Sequence, residues 1–481
     1  MDIRSAAIDF GLLTPHLIII IAGMAILLLG NMIRSRGLMA VLSVGAMVLG
    51  LIYAVMQWAM PQSGFYGMVV VDNFSVFFSM IFITTGIITI LMSRDYLIAK
   101  GIESHEYYVM ILFATVGMML MASSTDLLVI FIGLEIMSVP LYVMAGLARH
   151  NNLSNESGVK YFIMGAFASG FLIYGIALIY GATGTTDLRR ILADFAFFKT
   201  QSQMLLYSGA IMVLAAFSFK VAAVPFHMWV PDVYEGAPTP VTGYFSVGPK
   251  AAGFAALLRI FIFGFGQFTD LTTVFWILAV LTMTIGNILA IFQNNIKRML
   301  AYSSIAHAGY ILVALTTGGQ GAVSSAVYYL AAYMFFNLGG FAIITLIDSR
   351  TGGNNQIDDI KGLSGKHPFL AAILTLFMFA LAGFPPTAGF MGKFYIFSQA
   401  VKSGFIWLTI IAVLNSLISV YYYLRVVVAA FFMKPDKEFA PVSYKPGIIL
   451  VLLITVAGTL ALGVIPQFWL GLAKLATFSV M

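Results

Sequence analysis

The sequence predicts an all-α polytopic membrane protein of about 14 transmembrane helices. Its 481 residues are 61% hydrophobic and only 9% charged, with a mean hydropathy of +0.98, which excludes a water-soluble globule. Apolar runs of roughly 20 residues, long enough to cross a bilayer as helices, recur along the chain. An open sheet is excluded because its edge groups would go unpaired in lipid, and a transmembrane barrel would show short alternating segments instead.

Hydropathy places the predicted spans in order along the chain. The first seven cover residues 12–33, 38–60, 74–91, 107–122, 127–147, 161–180 and 204–230, and the other seven cover 241–263, 271–292, 299–315, 323–347, 368–400, 405–432 and 448–470. The first run is too long for the apolar core of a signal peptide, and no small-residue cleavage site follows it. It is therefore predicted to be an uncleaved first helix.

Basic residues in the loops predict the orientation, because Lys and Arg accumulate on the cytoplasmic side. Alternate loops carry 13 basic residues on one side and 6 on the other. The richer set is Arg34, Arg36, Arg94, Lys100, Arg149, Lys297, Arg298, Arg350, Lys361, Lys366, Lys434, Lys437 and Lys445, and the poorer set is Arg4, Arg189, Arg190, Lys199, Lys402 and Lys474. Both termini are therefore predicted on the non-cytoplasmic side. The absence of a transit peptide favours a bacterial plasma membrane and leaves an organelle-encoded origin open.

Two spans are predicted to be broken beside a charge. In the seventh span Pro225 follows Lys220 by five residues, and in the twelfth span Pro385 and Pro386 precede Lys393. A proline inside a helix removes a backbone hydrogen bond, and at bilayer depth the freed groups need protein or water around them. Broken helices 7 and 12 therefore predict hydrated cavities.

Intervals between charged residues predict two inverted five-helix repeats. Lys220 and Lys393 are 173 positions apart, Glu135 and His307 are 172 apart, and both pairs are separated by five spans. Because five is odd, the second copy would enter the membrane the other way up, as in many transporters. The predicted division is three N-terminal helices, two repeats and a C-terminal helix, over residues 1–106, 107–263, 264–432 and 433–481.

Ionisable residues inside the spans are the candidate functional residues. A charge at membrane depth costs several kcal/mol, so such residues usually face a polar interior and serve ion or proton transfer. At about 4 Å and an effective dielectric near 20, a Glu–Lys pair is worth about 4 kcal/mol, enough for a moving carboxylate to load or release a proton on the lysine. We predict that Glu135 modulates Lys220 and that protons pass through Lys250 and His307 toward Lys393.

Four of the candidates also have simpler interpretations or secondary roles. Lys160 opens the sixth predicted span and could be a snorkelling residue. His227 could simply cap the break, although His227 and His307 could also bridge the lysines because imidazole both accepts and donates protons. Lys297 could be a cytoplasmic anchor. Arg259, near the end of the eighth span, is expected to be an anchor.

Four sequence stretches carry a family resemblance. GLEIMSVP, FKVAAVPFHMWVPDVYEGAPTPV, NIKRMLAYSSIAHAGY and LAGFPPTAGFMGKFY resemble the antiporter-like membrane subunits of proton-pumping NADH:quinone oxidoreductase, respiratory complex I. The resemblance extends from Tyr107 to Arg425. Within that family, PDVYEGAPTPV with Lys250 is most similar to members with a lysine in the eighth helix, where the larger L and M subunits carry a histidine.

The resemblance implies roles for the same residues. It makes Glu135 and Lys220 the family's charge pair, Lys250 its central lysine and Lys393 its terminal proton-exit lysine. Residues in further matching positions, with less defined roles, are Lys160, His227, Lys297 and His307. The chain would work as a subunit of the oxidoreductase, without a redox centre of its own.

The resemblance also implies partners and cofactors. The partners would be other membrane subunits of a multi-subunit respiratory complex and the lipid bilayer, with no nucleic acid. FMN, iron–sulfur clusters and quinone are expected in partner subunits, and no cofactor or metal in this chain. The lack of cysteine excludes thiolate-bound iron–sulfur clusters within it.

Two other function classes stay open, a cation/proton antiporter subunit of similar fold and a structural membrane scaffold. A sodium site would need acidic oxygen ligands. Glu135 is the only carboxylate placed well inside a predicted span, which favours protons over sodium.

Overall fold

The computed structural model describes residues 8–33, 35–266, 271–351, 355–435, 444–476 and 478. Within these ranges, 13 helices are long and apolar enough to cross a membrane. A shorter apolar helix, Pro368–Ala382, continues past a break as Ala388–Lys402 and makes the remaining crossing. The predicted all-α fold of about 14 spans is confirmed. Of the residues counted for orientation, Arg4, Arg34, Lys437 and the Arg350 side chain lie outside the described part.

The helices follow the predicted spans closely. They are α1 (Thr14–Leu29), α2 (Arg36–Met56), α3 (Asn73–Ala99), α4 (His105–Ser123), α5 (Leu127–Ala145), α6 (Asn152–Thr183), α7 (Leu188–Ala193), α8 (Phe195–Gln201), α9 (Gln203–Val221), α10 (Trp229–Gly236), α11 (Thr239–Leu257), α12 (Thr272–Ile291), α13 (Ile296–Thr317), α14 (Gly319–Thr351), α15 (Leu363–Lys366), α16 (Pro368–Ala382), α17 (Ala388–Lys402), α18 (Ile406–Phe432), α19 (Pro446–Val464) and α20 (Pro466–Leu475). Hydropathy did not predict the antiparallel pair β1 (Gln62–Gly64) and β2 (Val69–Val71) before α3.

Short polar side chains set the start of five spans. Ser35, Asp72, Asp126, Asn151 and Asn295 each accept a hydrogen bond from backbone N–H groups in the first turn of the following helix. The first N–H groups of a helix have no partner within the helix, so these caps satisfy donors that would otherwise be exposed near the membrane. They explain why α3 and α6 begin sharply at Asn73 and Asn152.

The centre of the bundle is formed by α11, α13 and α14. The most apolar windows of these helices are 89%, 94% and 89% buried, whereas those of α1, α6 and α18 are only 33% buried. Helix α11 packs against α3, α9 and α14, and α13 packs against α12 and α17. The central helices are therefore shielded from lipid, and polar groups on them face other helices.

Both predicted breaks are confirmed. Helix α9 ends at Val221, Ala222 is left-handed (φ 64°), and α10 resumes at Trp229 after a cis Val224–Pro225 bond. Helix α16 ends at Ala382, Gly383 is left-handed (φ 91°), and α17 resumes after a cis Pro385–Pro386 bond. Each break leaves the last carbonyl groups of the first half-helix without helical donors.

The two lysines beside the breaks lie on opposite sides of them. Lys220 precedes the left-handed Ala222 by two residues, whereas Lys393 follows the left-handed Gly383 by ten residues. When the sequences of the two spans are aligned at these left-handed residues, Lys393 corresponds to Asp232 in α10 and not to Lys220. The 173-residue interval therefore does not join equivalent positions, and the division into two repeats stays a prediction.

Candidate functional site

Three lysines are buried in the bundle. The exposed fractions of Lys220, Lys250 and Lys393 are 3%, 3% and 4%. Among the described residues, no carboxylate lies within ion-pair distance of any of the three. Buried ammonium groups need hydrogen-bond acceptors. The acceptors around these lysines are hydroxyl and carbonyl oxygens.

Lys220 lies at the end of α9 and contacts one face of α5. Its Nζ donates to Ser138 Oγ at 2.8 Å and to the Tyr142 hydroxyl at 3.3 Å. The ammonium also lies 5.3 Å from the centre of the Tyr142 ring and 5.6 Å from that of Tyr161, close enough for cation–π attraction. Ser138 and Tyr142 are four residues apart on α5, which places both side chains on the face turned to α9.

Glu135 lies one turn before Ser138 on α5 and is half-buried. Its carboxylate accepts a hydrogen bond from Ser169 Oγ on α6 at 2.5 Å. Glu135 interacts electrostatically with Lys220 without a hydrogen bond between them. The predicted control of Lys220 by Glu135 therefore has a geometric basis, with Ser138 between the two charges on the same helix face, and stays a prediction.

Lys250 is held by a residue of the neighbouring helix α13. Its Nζ donates to the Ser304 carbonyl oxygen at 2.7 Å and also to the Ser304 hydroxyl. The buried hydroxyls of Tyr234 and Tyr333 lie beside Ser304. Lys250 thus faces a group of hydroxyls at the centre of the bundle.

His307 lies one turn after Ser304 on α13 and is 1% exposed. Both ring nitrogens are engaged, Nδ1 with the Tyr329 hydroxyl at 2.5 Å and Nε2 with the Tyr423 hydroxyl at 3.0 Å. Its ring interacts electrostatically with both Lys250 and Lys393. His307 is therefore near both the central and the terminal lysine, and its part in proton transfer stays a prediction.

Lys393, on α17, contacts the broken end of α16. Its Nζ donates to the carbonyl oxygens of Leu381 (3.2 Å) and Ala382 (2.8 Å) and to Ser416 Oγ (2.9 Å), and it lies 4.9 Å from the centre of the Tyr310 ring. The carbonyl end of a helix carries partial negative charge and favours a cation. The break in the twelfth span thus supplies the acceptors for a buried ammonium.

The other three candidates lie away from this line of residues. Lys160 has a side chain 40% exposed and forms ion pairs with Glu156 (2.5 Å) and Asp232 (2.7 Å). It does not open the sixth span, because α6 begins eight residues earlier at Asn152. His227 lies in the break between α9 and α10, and its Nδ1 has no described partner.

Lys297 is buried at the start of α13 and not exposed as an anchor. Its Nζ donates to the carbonyl oxygens of Glu235 (2.7 Å) and Ala237 (2.6 Å), which lie at the end of α10 and just beyond it. The buried ammonium therefore satisfies the carbonyl end of the second half of the broken seventh span.

Sequence reasoning missed a buried ion pair between Arg259 and Asp72. Arg259 is 1% exposed, and its guanidinium binds both Asp72 carboxylate oxygens at 3.0 and 2.9 Å and the Ala122 carbonyl. The expectation that Arg259 is an interfacial anchor is wrong. The sequence signal for this pair is the capping-box spacing of Asp72 and Ser75, which places a carboxylate at the start of α3.

Comparisons with known proteins identify the family. Residues 124–419 match the family model described as NADH:quinone oxidoreductase/Mrp antiporter, TM. NADH-quinone oxidoreductase subunit N of Trichlorobacter lovleyi is 48% identical over 483 residues, covering 99% of both chains. The chain belongs to the family of NADH-quinone oxidoreductase N subunits. The sequence-based resemblance to the antiporter-like membrane subunits of complex I is thereby confirmed.

Solved structures of this and related families have the same fold. A chain of respiratory complex I from Thermus thermophilus is 31% identical, with a TM-score of 0.83 over 96% of this chain and 100% of that one. A chain of the Mrp complex from a Dietzia species also superposes with a TM-score of 0.83, over 99% of this chain and 97% of that one, at 21% identity. The second likeness shows the fold alone. Among the described residues, no group of three His, Cys, Asp or Glu side chains is arranged to hold a metal ion.

Proposed function

We propose that this N subunit translocates protons within a membrane-bound NADH:quinone oxidoreductase. The observation that carries the proposal is the set of three buried lysines, Lys220, Lys250 and Lys393, whose acceptors are uncharged oxygens. Such an ammonium can lose its proton without leaving a carboxylate unpaired in the interior. A lysine locked in a buried ion pair could not.

The proposed route joins Lys220 and Lys250 at its start and ends at Lys393. Lys220 exchanges a proton with Lys250, which passes it through His307 to Lys393. His307 suits the middle position because each ring nitrogen is already hydrogen-bonded to a tyrosine hydroxyl, so a proton can arrive at one nitrogen and leave from the other. The carboxylate of Glu135 changes the electrostatic field at Lys220 and so favours loading or release of its proton.

Three candidates take secondary places in the route. His227 lies in the break of the seventh span, and Lys160 and Lys297 hold the second half of that span, Lys160 by an ion pair with Asp232 and Lys297 through the carbonyl groups at its end. The predicted repeats, residues 107–263 and 264–432, would each contribute one half of the route.

Redox energy would reach this chain from its partners. We propose that FMN, iron–sulfur clusters and quinone are bound by other subunits of the complex, and that this chain has no cofactor of its own. We also propose that the complex lies in a bacterial plasma membrane with both termini of this chain on the non-cytoplasmic side, following the distribution of basic residues.

A cation/proton antiporter subunit is the second candidate function, favoured by the fold shared with the Mrp complex chain. Purification of the native complex followed by mass spectrometry separates the two. Iron–sulfur and flavin subunits that copurify support the oxidoreductase, and their absence from an active complex supports the antiporter.

Replacement of Lys220 or Glu135 by Ala in the assembled complex tests the proton-translocation proposal. We expect quinone reduction that pumps fewer protons or none, because each variant removes a charge from the start of the route. Lys402→Ala is the matched control, since Lys402 is an exposed lysine at the end of α17. Undiminished proton pumping in assembled Lys220→Ala and Glu135→Ala complexes would contradict the proposal.

A further inference from the structure

A polar cavity of about 620 Å³ is lined by residues from five loops and the adjoining helix ends. These loops follow the third, fifth, seventh, ninth and eleventh spans, so all are on the side that the basic residues assign to the cytoplasm. The charged and polar side chains that line the cavity include Tyr96, Lys100, Glu235, Asn295, Lys297 and Asp348. Such a lining suits water and protons and not an apolar ligand.

Asp348 is the buried acid of this cavity. Its side chain is 4% exposed and accepts hydrogen bonds from the Tyr96 hydroxyl (3.0 Å), from Thr239 Oγ1 (2.5 Å) and from Lys100 Nζ (3.1 Å). Lys100 is 27% exposed. The ion pair therefore links the partly exposed Lys100 ammonium to a carboxylate that is buried in the protein.

Thr239 connects Asp348 to a row of hydroxyls on α11. Thr239, Thr242, Ser246 and Lys250 are spaced by three, four and four residues, which places them on one face of the helix. Eleven residues of helix span about 16 Å, so the row reaches from the cavity to the middle of the bundle. All four side chains are buried.

The neighbouring helix α14 extends this polar row. Asn337 donates from Nδ2 to Ser246 Oγ at 2.5 Å, and Ser246 donates to the Gly243 carbonyl at 2.7 Å. Asp348 lies eleven residues after Asn337 on the same helix, which is three turns and so the same face. Polar groups of α11 and α14 therefore face each other between the cavity and Lys250.

We propose that this cavity is the cytoplasmic inlet for protons and that Asp348 carries each proton from it toward Lys250. The inference rests on the proposed proton-translocating function and concerns the step that brings protons from the cytoplasm to Lys250. A proton leaves water for the Asp348 carboxylate, which becomes a neutral acid beside Lys100. It then passes along the hydroxyls of α11 to the neutral amine of Lys250, which restores the carboxylate and forms the ammonium. No electrons move.

Substitution of Asp348 gives the first test, in inverted membrane vesicles whose cytoplasmic face is outward. In the assembled complex, Asp348→Asn keeps the shape and acceptor oxygen but cannot take up a proton, so NADH-driven proton uptake should fall about tenfold or more. Asp348→Glu should restore much of the rate. Asp358→Asn is the control, because Asp358 is an exposed acid on the same face, 68% exposed, in an ion pair with Lys361.

Occlusion of the cavity gives a second test that leaves Asp348 unchanged. The chain contains no cysteine, so His150→Cys places a single thiol on the exposed wall of the cavity. A bulky membrane-impermeant thiosulfonate added to these vesicles should lower proton uptake about tenfold, and a reductant should restore it. Asp358→Cys labelled in the same way should pump normally, and the parent complex controls for thiols in other subunits.

The outcomes separate this inference from the proposed function. Full proton pumping by assembled Asp348→Asn, or by labelled His150→Cys, overturns the inlet. If Lys250→Met abolishes pumping while either of these still pumps, only the inlet is wrong. If Lys250→Met itself pumps normally, the proposed function fails. If Asp348→Asn does not assemble, proton uptake by the labelled His150→Cys complex decides whether the cavity is the inlet.

Discussion

The buried pair of Arg259 and Asp72 leads to a sharp prediction about stability. Asp72→Asn keeps an oxygen that can cap α3 but removes the negative charge that Arg259 binds through two nitrogens at 2.9 and 3.0 Å. The side chains of Arg259 and Asp72 are 1% and 0% exposed, so water cannot take over the lost interaction. Asp72→Asn would therefore leave a buried cation without a counter-charge, in contact with the Ala122 carbonyl, the amide oxygen and the rings of Phe74 and Phe478.

The cost of Asp72→Asn should be about 3–5 kcal/mol, the range for breaking one side of a buried ion pair. A second substitution, Arg259→Met, should recover most of that loss, because replacing both partners by uncharged groups is close to neutral. The exposed pair of Asp358 and Lys361 supplies the control, since Asp358→Asn should cost about 0–1 kcal/mol.

The assay is the temperature at which the epitope-tagged subunit aggregates from detergent-solubilised membranes. We expect Asp72→Asn to aggregate at a clearly lower temperature than the unsubstituted chain, the double variant to lie close to it, and Asp358→Asn to match it. Two results would refute the reasoning. One is an unchanged aggregation temperature for Asp72→Asn, and the other is a double variant that is less stable than the single one.

Three further predictions concern the twelfth span. Lys393→Met should abolish proton pumping in membrane vesicles without preventing assembly, whereas Lys402→Met on the same helix should pump normally; equal pumping would contradict the role of Lys393. Ser416→Ala removes one of the three hydrogen bonds of Lys393 but leaves two carbonyl acceptors, so its pumping rate should lie between those of Lys393→Met and the unsubstituted chain. Gly389→Val should prevent assembly, seen on native gels, because even a Cβ at Gly389 would overlap the Ala380 carbonyl oxygen of α16; a normally assembled variant would show that α16 and α17 can move apart.

Hydropathy predicts the spans of this fold because a helix that crosses a bilayer needs about 20 mostly apolar residues. It does not predict where helices extend beyond the bilayer. Helix α3 continues to Ala99, eight residues past the predicted end of the third span, and α6 begins nine residues before the predicted start of the sixth. The breaks were predictable, because Pro225 and the Pro385–Pro386 pair interrupt helices by simple chemistry.

The identity of the buried lysines was predictable, but their partners were not. A lysine in an apolar run stands out in the sequence, as Lys250 does. The acceptor of Lys250 is Ser304, 54 residues away on another helix, and a serine among many carries no signal of its own. Asp348 was missed because it ends a span, where a carboxylate is ordinary, and only the fold brings Thr239 and Lys100 to it.

The number of protons pumped per NADH oxidised by complexes carrying Lys250→Met in sealed vesicles shows directly whether protons pass through this chain. Methionine keeps the length and packing of the side chain but cannot hold a proton. We expect this ratio to fall while NADH still reduces quinone, because the route is cut between Lys220 and His307. An unchanged ratio in an assembled complex would show that protons do not pass through Lys250.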